Sequence, residues 1–214
     1  MILLNGKKTS ELIKEEISQE VLDIIKNGDR PPHLAAILVG DNPASLTYVS
    51  AKVKACDKVG FQSSLIKLNQ DVSEEDLISH VDNLNKNVDI DGFIVQLPLP
   101  NHINEKKILE KISPNKDVDG FHPVNFGKMC LDIPCFIPAT PFGIVELLRR
   151  YNLNLDGKNC VVLGRSHIVG TPISILLSKN KKIGNCTVTL AHSKTKNIKN
   201  ICNNADIIIS AIGK

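Results

Sequence analysis

The sequence has no tryptophan and only two tyrosines, and aromatic residues fill 4% of its 214 positions. With so few stacking faces, a platform for single-stranded nucleic acid is not expected. An excess of one charge is missing too, since a formal net charge of +3 builds no broad footprint for a polyanion. No apolar run approaches a membrane span, and the opening MILLNGKKTSELIKEEI has no signal-peptide stretch. The six cysteines (56, 130, 135, 160, 186 and 202) form no CxxC pair and no Cys/His spacing of a zinc site. They read as buried thiols in a reducing cytoplasm, with no metal.

What is present is an ordinary globular composition, 42% hydrophobic and 23% charged, long enough for two domains. A helix is predicted over 9–27, with Thr9 or Ser10 as N-cap and Gly28 just past its end. Then HLAAILVG (33–40), a helix over about 44–59, SSLIKLN (63–69), a helix begun at Ser73 and GFIVQLPLP (92–100) follow in turn. Continuous apolar strands spaced by helices predict βαβ units and a mostly parallel sheet, an α/β fold. Residues 113–140 carry proline, glycine and asparagine at short intervals without a helical period, which predicts a long ordered loop or domain junction. After a helix PFGIVELLRRY, with Pro141 at its start, the alternation resumes. It runs through NCVVLG (159–164), a helix from about Val169, TVTLAH (187–192), a short helix near 197–203 and ADIIISAIG (205–213). Three strands are few for a dinucleotide domain, which usually has about six, so the second domain is expected to be incomplete.

CVVLGRSHIVG runs strand, tight turn, helix, with glycines at 164 and 170. In a dinucleotide-binding fold this is where backbone N–H groups and a helix N-terminus face the pyrophosphate. The match to GxGxxG is imperfect: Ser166 stands for the second glycine and Gly170 comes one residue late. The charge pattern adds to it. Between Asp156 and Asp206 there is no acidic residue but eight basic ones, Arg165 in the turn among them. An NAD site needs a carboxylate at the end of the second strand for the ribose 2′-hydroxyl. Here that strand ends in His192-Ser193-Lys194, and a guanidinium with a hydroxyl suits a 2′-phosphate, so the pattern favours NADP. A plain solvated basic face is the alternative, and it leaves Arg165 and Ser193 without a role.

In YVSAKVKACDKVGF (48–61), Val49, Val53 and Cys56 mark the inward face of a helix, and Lys54, Asp57 and Lys58 the wet one. Lys52 falls on the inward stripe, with Tyr48 one turn before it. An ammonium pointed inward costs several kcal/mol unless it is partnered, and burial favours the neutral amine, which can move protons. The alternative is a lysine that snorkels past the stripe edge. Tyr48-x-x-x-Lys52 also matches the pair of short-chain dehydrogenases, but it lies upstream of the glycine turn on another domain, and that assignment is rejected.

Five segments in register, YVSAKVKACDKVGF, DGFIVQLPLP, PNKDVDGFHPVN, PATPFGI and GRSHIVGTP, resemble the bifunctional methylenetetrahydrofolate dehydrogenase/methenyltetrahydrofolate cyclohydrolases. The resemblance covers nearly the whole chain. It implies a folate-binding catalytic domain over 1–138, an incomplete Rossmann-type NADP-binding domain over 139–214 and an active site in the cleft between them. By position, Lys52 looks like the catalytic lysine, Tyr48 like the tyrosine flanking the folate ring, and Gln96 like the glutamine that hydrogen-bonds the lysine. Asp119 looks like the carboxylate that grips the pterin N–H groups. Gly164, Arg165, Ser166, Gly170 and Ser193 fall at cofactor positions. His122 and His167 are read as structural. The resemblance further implies a homodimer in one-carbon metabolism and purine biosynthesis. The competing readings are another two-domain NADP dehydrogenase, of shikimate or amino-acid type, and an inactive chain.

Overall fold

The first helix starts earlier than its hydrophobic period suggests. In the computed structural model, which describes residues 1–213, α1 spans Gly6–Lys26, and its N-cap Asn5 accepts the Lys8 N–H at 3.0 Å. Thr9, one of the two expected caps, lies inside the helix and donates its hydroxyl to the Asn5 carbonyl. Asparagine caps as well as serine or threonine. The Gly6-Lys7-Lys8 that follows has no apolar residue to register the first turn.

Residues 5–118 form one compact unit. After α1 come β1 (His33–Val39), α2 (Pro43–Val59), β2 (Gln62–Leu68), α3 (Glu74–Lys86), β3 (Gly92–Val95) and α4 (Glu105–Lys111). Ser73 caps α3 as its Glu-Glu-Asp start predicts. The sheet is parallel in the order β2-β1-β3, the βαβ pattern expected. Alternate residues of the central strand face opposite layers. Ala35, Ile37 and Val39 join Phe93, Val95 and the Leu77, Val81 and Leu84 of α3, while Ala36, Leu38 and Ile94 join Val49 of α2. Cover on both faces is why these strands read as unbroken apolar runs. β3 is shorter than its run: Gln96 still donates its N–H to the Ile37 carbonyl at 2.9 Å, and Pro98 and Pro100 then have none to give.

Residues from 119 onward, with Met1–Leu4, form the second unit. It contains α5 (Pro123–Cys130), α6 (Ala139–Arg150), β4 (Asn159–Leu163), α7 (Gly170–Ser178), β5 (Thr187–Ala191), α8 (Ile198–Asn203) and β6 (Ile207–Ser210). Its parallel sheet has the order β5-β4-β6, and Leu148, Leu155, Val162, Ile173, Leu177 and Ile209 make the core.

Three expectations are corrected here. The stretch 113–140 holds a helix, α5, whose N-cap His122 accepts the Val124 N–H through Nδ1 at 3.1 Å. Two turns with Gly127 inside are too short to show a period. α6 begins at Ala139, so Pro141 is its third residue rather than its first. The cysteines are all free, but only Cys56, Cys160 and Cys186 are buried; Cys130 is exposed and Cys135 and Cys202 are half-buried. Burial pushes the Cys160 thiol up to about 11. Among the described residues no helix is long and apolar enough to cross a membrane.

Candidate active site

Two sets of side chains are built here, one in each unit. In the first, β1 feeds α2 through Gly40, so α2 begins at the C-terminal edge of the sheet. At about 100° per residue, the buried Ser45, Val49, Cys56 and Val59 define a stripe, and Lys52 lies about 25° from its centre. Tyr48 lies about 65° away, at the stripe edge. The expectation of an inward pair is corrected accordingly: Lys52 is half-buried, while Tyr48 is 65% exposed. A side chain well off the stripe clears the sheet, whereas a long stem laid along it is covered only in part.

Gln96 completes this edge. Strand alternation puts it on the same face as Ile94, which packs with Val49 of α2. Its carboxamide Nε2 donates to the Leu97 carbonyl at 2.7 Å, and its Oε1 is buried with no hydrogen-bond partner among the described residues. A buried amide oxygen without a donor costs about 1–3 kcal/mol, which marks it as an acceptor held for another group.

Asp119 opens the second unit and is half-buried. Gly120 after it has φ 68°, and a Cβ there would stand 2.7 Å from the backbone of Ile137 and Pro138. Only glycine fits, so the turn that presents Asp119 is pinned beneath 136–138.

The dinucleotide turn follows β4. Gly164 has φ 115°, and a Cβ on it would meet the Ala211 carbonyl oxygen at 2.3 Å; one on Gly170 would meet the Gly164 oxygen at 2.0 Å. The late glycine is thus where α7 crosses the turn at backbone distance. Ser166 stands where the second glycine was expected because its Oγ accepts from Val169 N–H at 3.1 Å and Gly170 N–H at 3.4 Å, bracing the first turn of α7. Thr171, which the sequence reading passed over, donates its N–H to the Ser166 carbonyl and its hydroxyl to that of Arg165. The Arg165 and Ser193 side chains are exposed. Register pairs Leu163 with Ala191, and the Gly164 N–H reaches the Ala191 carbonyl at 2.8 Å, so both turns leave the sheet side by side. Backbone that only glycine allows, exposed cationic and hydroxyl side chains and no carboxylate at the end of β5 fit a 2′-phosphorylated dinucleotide.

Tyr48 and Lys52 thus stand on α2 and Gln96 just past the end of β3 within the first unit, while Gly164, Arg165, Ser166, Gly170 and Ser193 lie on the turns after β4 and β5 and at the start of α7 in the second. His122 serves as a helix cap, as a structural histidine should. No group of three or more His, Cys, Asp or Glu side chains among the described residues is arranged to hold a metal ion.

Comparison with known proteins gives the same answer from a different direction. The family model for the tetrahydrofolate dehydrogenase/cyclohydrolase catalytic domain matches residues 4–119, and the one for its NAD(P)-binding domain matches 138–214. The "Bifunctional protein FolD" of Flavobacterium psychrophilum is 60% identical over 213 residues, covering 100% of this chain and 72% of the relative. That of Cytophaga hutchinsonii is 56% identical over 214 residues, covering 100% and 74%. Among solved structures, the bifunctional dehydrogenase/cyclohydrolase of Campylobacter jejuni has a TM-score of 0.95 at 43% identity, with 100% of this chain and 74% of that one covered. The Trypanosoma brucei enzyme, complexed with NADP and an inhibitor, has a TM-score of 0.92 at 35% identity, covering 100% and 72%. The chain belongs to the tetrahydrofolate dehydrogenase/cyclohydrolase family.

Proposed function

We infer that this chain oxidises 5,10-methylenetetrahydrofolate to 5,10-methenyltetrahydrofolate with NADP and hydrolyses the product to 10-formyltetrahydrofolate. Family membership at this identity favours that activity over the shikimate or amino-acid alternative. In this reading residues 1–138 bind folate and 139–214 bind NADP. The protein is a cytoplasmic homodimer serving one-carbon metabolism and purine biosynthesis.

NADP, when bound, supplies the hydride acceptor. Gly164, Ser166 and Gly170 shape the turn beneath the pyrophosphate, and Arg165 and Ser193 hold the 2′-phosphate. On the folate side, Asp119 accepts the paired N–H groups of the pterin, which are donors that suit a carboxylate. Tyr48, exposed at the edge, offers its ring to the pterin face. Hydride transfer needs placement more than acid–base help. The hydrolysis does need a proton carrier: water attacks the electrophilic methenyl carbon, Lys52 takes a proton from that water and returns one as the ring opens. Gln96 holds the Lys52 amine by accepting from it.

The observation that carries this assignment is the buried, unpartnered Oε1 of Gln96 on the face of the sheet that α2 covers. The test is a panel of methylenetetrahydrofolate, shikimate and amino-acid substrates with NADP. Reduction of NADP with the folate alone, followed by loss of the methenyl absorbance, is expected. Turnover of shikimate or an amino acid instead would overturn the reading.

A further inference from the structure

The turn that carries Ser193 is closed almost entirely by its own groups. Thr195 donates its N–H to the His192 carbonyl at 2.8 Å, which makes residues 192–195 a β-turn. The Thr195 hydroxyl oxygen accepts the His192 N–H at 2.8 Å, and the Lys194 N–H donates to the His192 Nδ1 at 3.2 Å. Three of the four backbone N–H groups in the turn are thus used inside it. The fourth is that of Ser193, which has no hydrogen-bond partner among the described residues for its N–H or its hydroxyl. The residue is exposed at the apex. Beside it runs the Gly164-Arg165 turn, whose guanidinium likewise has no partner among the described residues.

We propose that Thr195 is a positioning residue for cofactor selectivity: by locking the turn it aims both the backbone N–H and the hydroxyl of Ser193 at the 2′-phosphate. This rests on the 2′-phosphate reading given above and adds two things to it, a second donor on Ser193 and the residue that holds it. Two donors on one residue grip two oxygens of a phosphate, and they do so only while the turn is rigid. Nicotinamide dinucleotides without the 2′-phosphate gain nothing from either. A loosened turn therefore costs NADP and spares NAD.

The measurement is KM for NADP and for NAD in the dehydrogenase reaction, for the unmodified chain and six variants: the four below, with Thr195→Ala and Arg165→Ala as controls. Thr195→Val keeps the branched shape and removes the acceptor of the His192 N–H; it is expected to raise the NADP-to-NAD ratio of KM values about tenfold, because the loosened turn gives up one Ser193 hydrogen bond to the charged phosphate. Thr195→Ser keeps the acceptor and should restore the ratio. Ser193→Ala removes the hydroxyl and keeps the N–H. Ser193→Pro removes both without disturbing the turn, because proline suits the second position of a β-turn and that N–H is not used within it. The ratio should rise for alanine and rise further for proline.

If Thr195→Val weakens NADP and NAD alike, the residue is only structural and the proposal falls. It also falls if proline and alanine at 193 are equivalent. Should Thr195→Val fail to fold, the proline–alanine comparison still decides the donor claim, and Thr195→Ser matching the unmodified chain while Thr195→Ala does not decides the positioning claim. Failure of the underlying reading looks different: neither Ser193→Ala nor Arg165→Ala would then change the ratio.

Discussion

Gly170→Ala puts one methyl group where the cofactor turn and α7 already touch. The added carbon would lie 2.0 Å from the Gly164 oxygen, 2.5 Å from its carbonyl carbon and 2.9 Å from the Arg165 nitrogen. All three are backbone atoms, so no side chain can swing aside. Ordinary contact begins at 3.4 Å, so the helix must retreat from the turn by roughly 1.4 Å at that point. Overpacking of this kind costs about 1–3 kcal/mol, and the first residue of a helix recovers little of it through propensity. A net loss of about 2 kcal/mol lowers Tm by about 4–8 °C in a chain of this size. Gly143→Ala on α6 is the matched control. Nothing lies within 4 Å of its added carbon, and alanine in a helix interior gains about 0.5–1 kcal/mol, so Tm should hold or rise slightly. The assay is thermal unfolding followed by circular dichroism, with and without NADP. Gly170→Ala should melt lower and lose most of the rise that NADP gives. Were it to melt with the unmodified protein and keep the full NADP shift, the close approach of α7 to the turn would not be what the site depends on.

Three further outcomes are expected. Arg165→Ala should raise KM for NADP about tenfold to a hundredfold and KM for NAD less than twofold, by steady-state kinetics with each cofactor. Gln96→Met should leave Tm near its starting value, because losing the Nε2 hydrogen bond to the Leu97 carbonyl is offset by relieving the buried Oε1, which has no partner among the described residues, while the cyclohydrolase rate falls at least about tenfold. The Glu146 carboxyl is held down to about 2, first by Arg149 and then by Arg150, against the opposing effect of burial. A depressed carboxylate stabilises the fold fully above its unfolded value of about 4.3, and that stability is lost as pH falls toward the folded value. Urea unfolding should therefore show Glu146→Gln less stable at neutral pH, with the gap closing as pH falls from about 5 to about 2.

Much of this molecule is written in its periodicity. The central strands β1 and β4, with β3, are buried on both faces and appear as unbroken apolar runs, and the helices between successive strands predict the parallel pairing. What escaped the pattern was local. Asn5 caps α1 well ahead of the helix's first apolar residue, Leu12, and α5 makes only two turns around Gly127. At the candidate site, the glycine turn and the absence of a carboxylate after β5 were legible because they are matters of residue type. The exposure of Tyr48 was not, since a helical wheel gives an angle but not where the sheet edge lies. The bracing hydroxyls of Thr171 and Thr195 were also missed: each acts through a hydrogen bond to backbone a few residues away, and threonine in a turn is too common to signal it.

Replacing Lys52 by methionine and timing the two reactions separately bears most directly on how this chain works. Methionine keeps the stem along the α2 stripe and removes the amine. Hydrolysis of methenyltetrahydrofolate should then stop while reduction of NADP by methylenetetrahydrofolate continues at a substantial rate. If both reactions fall together, Lys52 places the substrate instead of carrying the proton, and the division of labour argued for it is wrong.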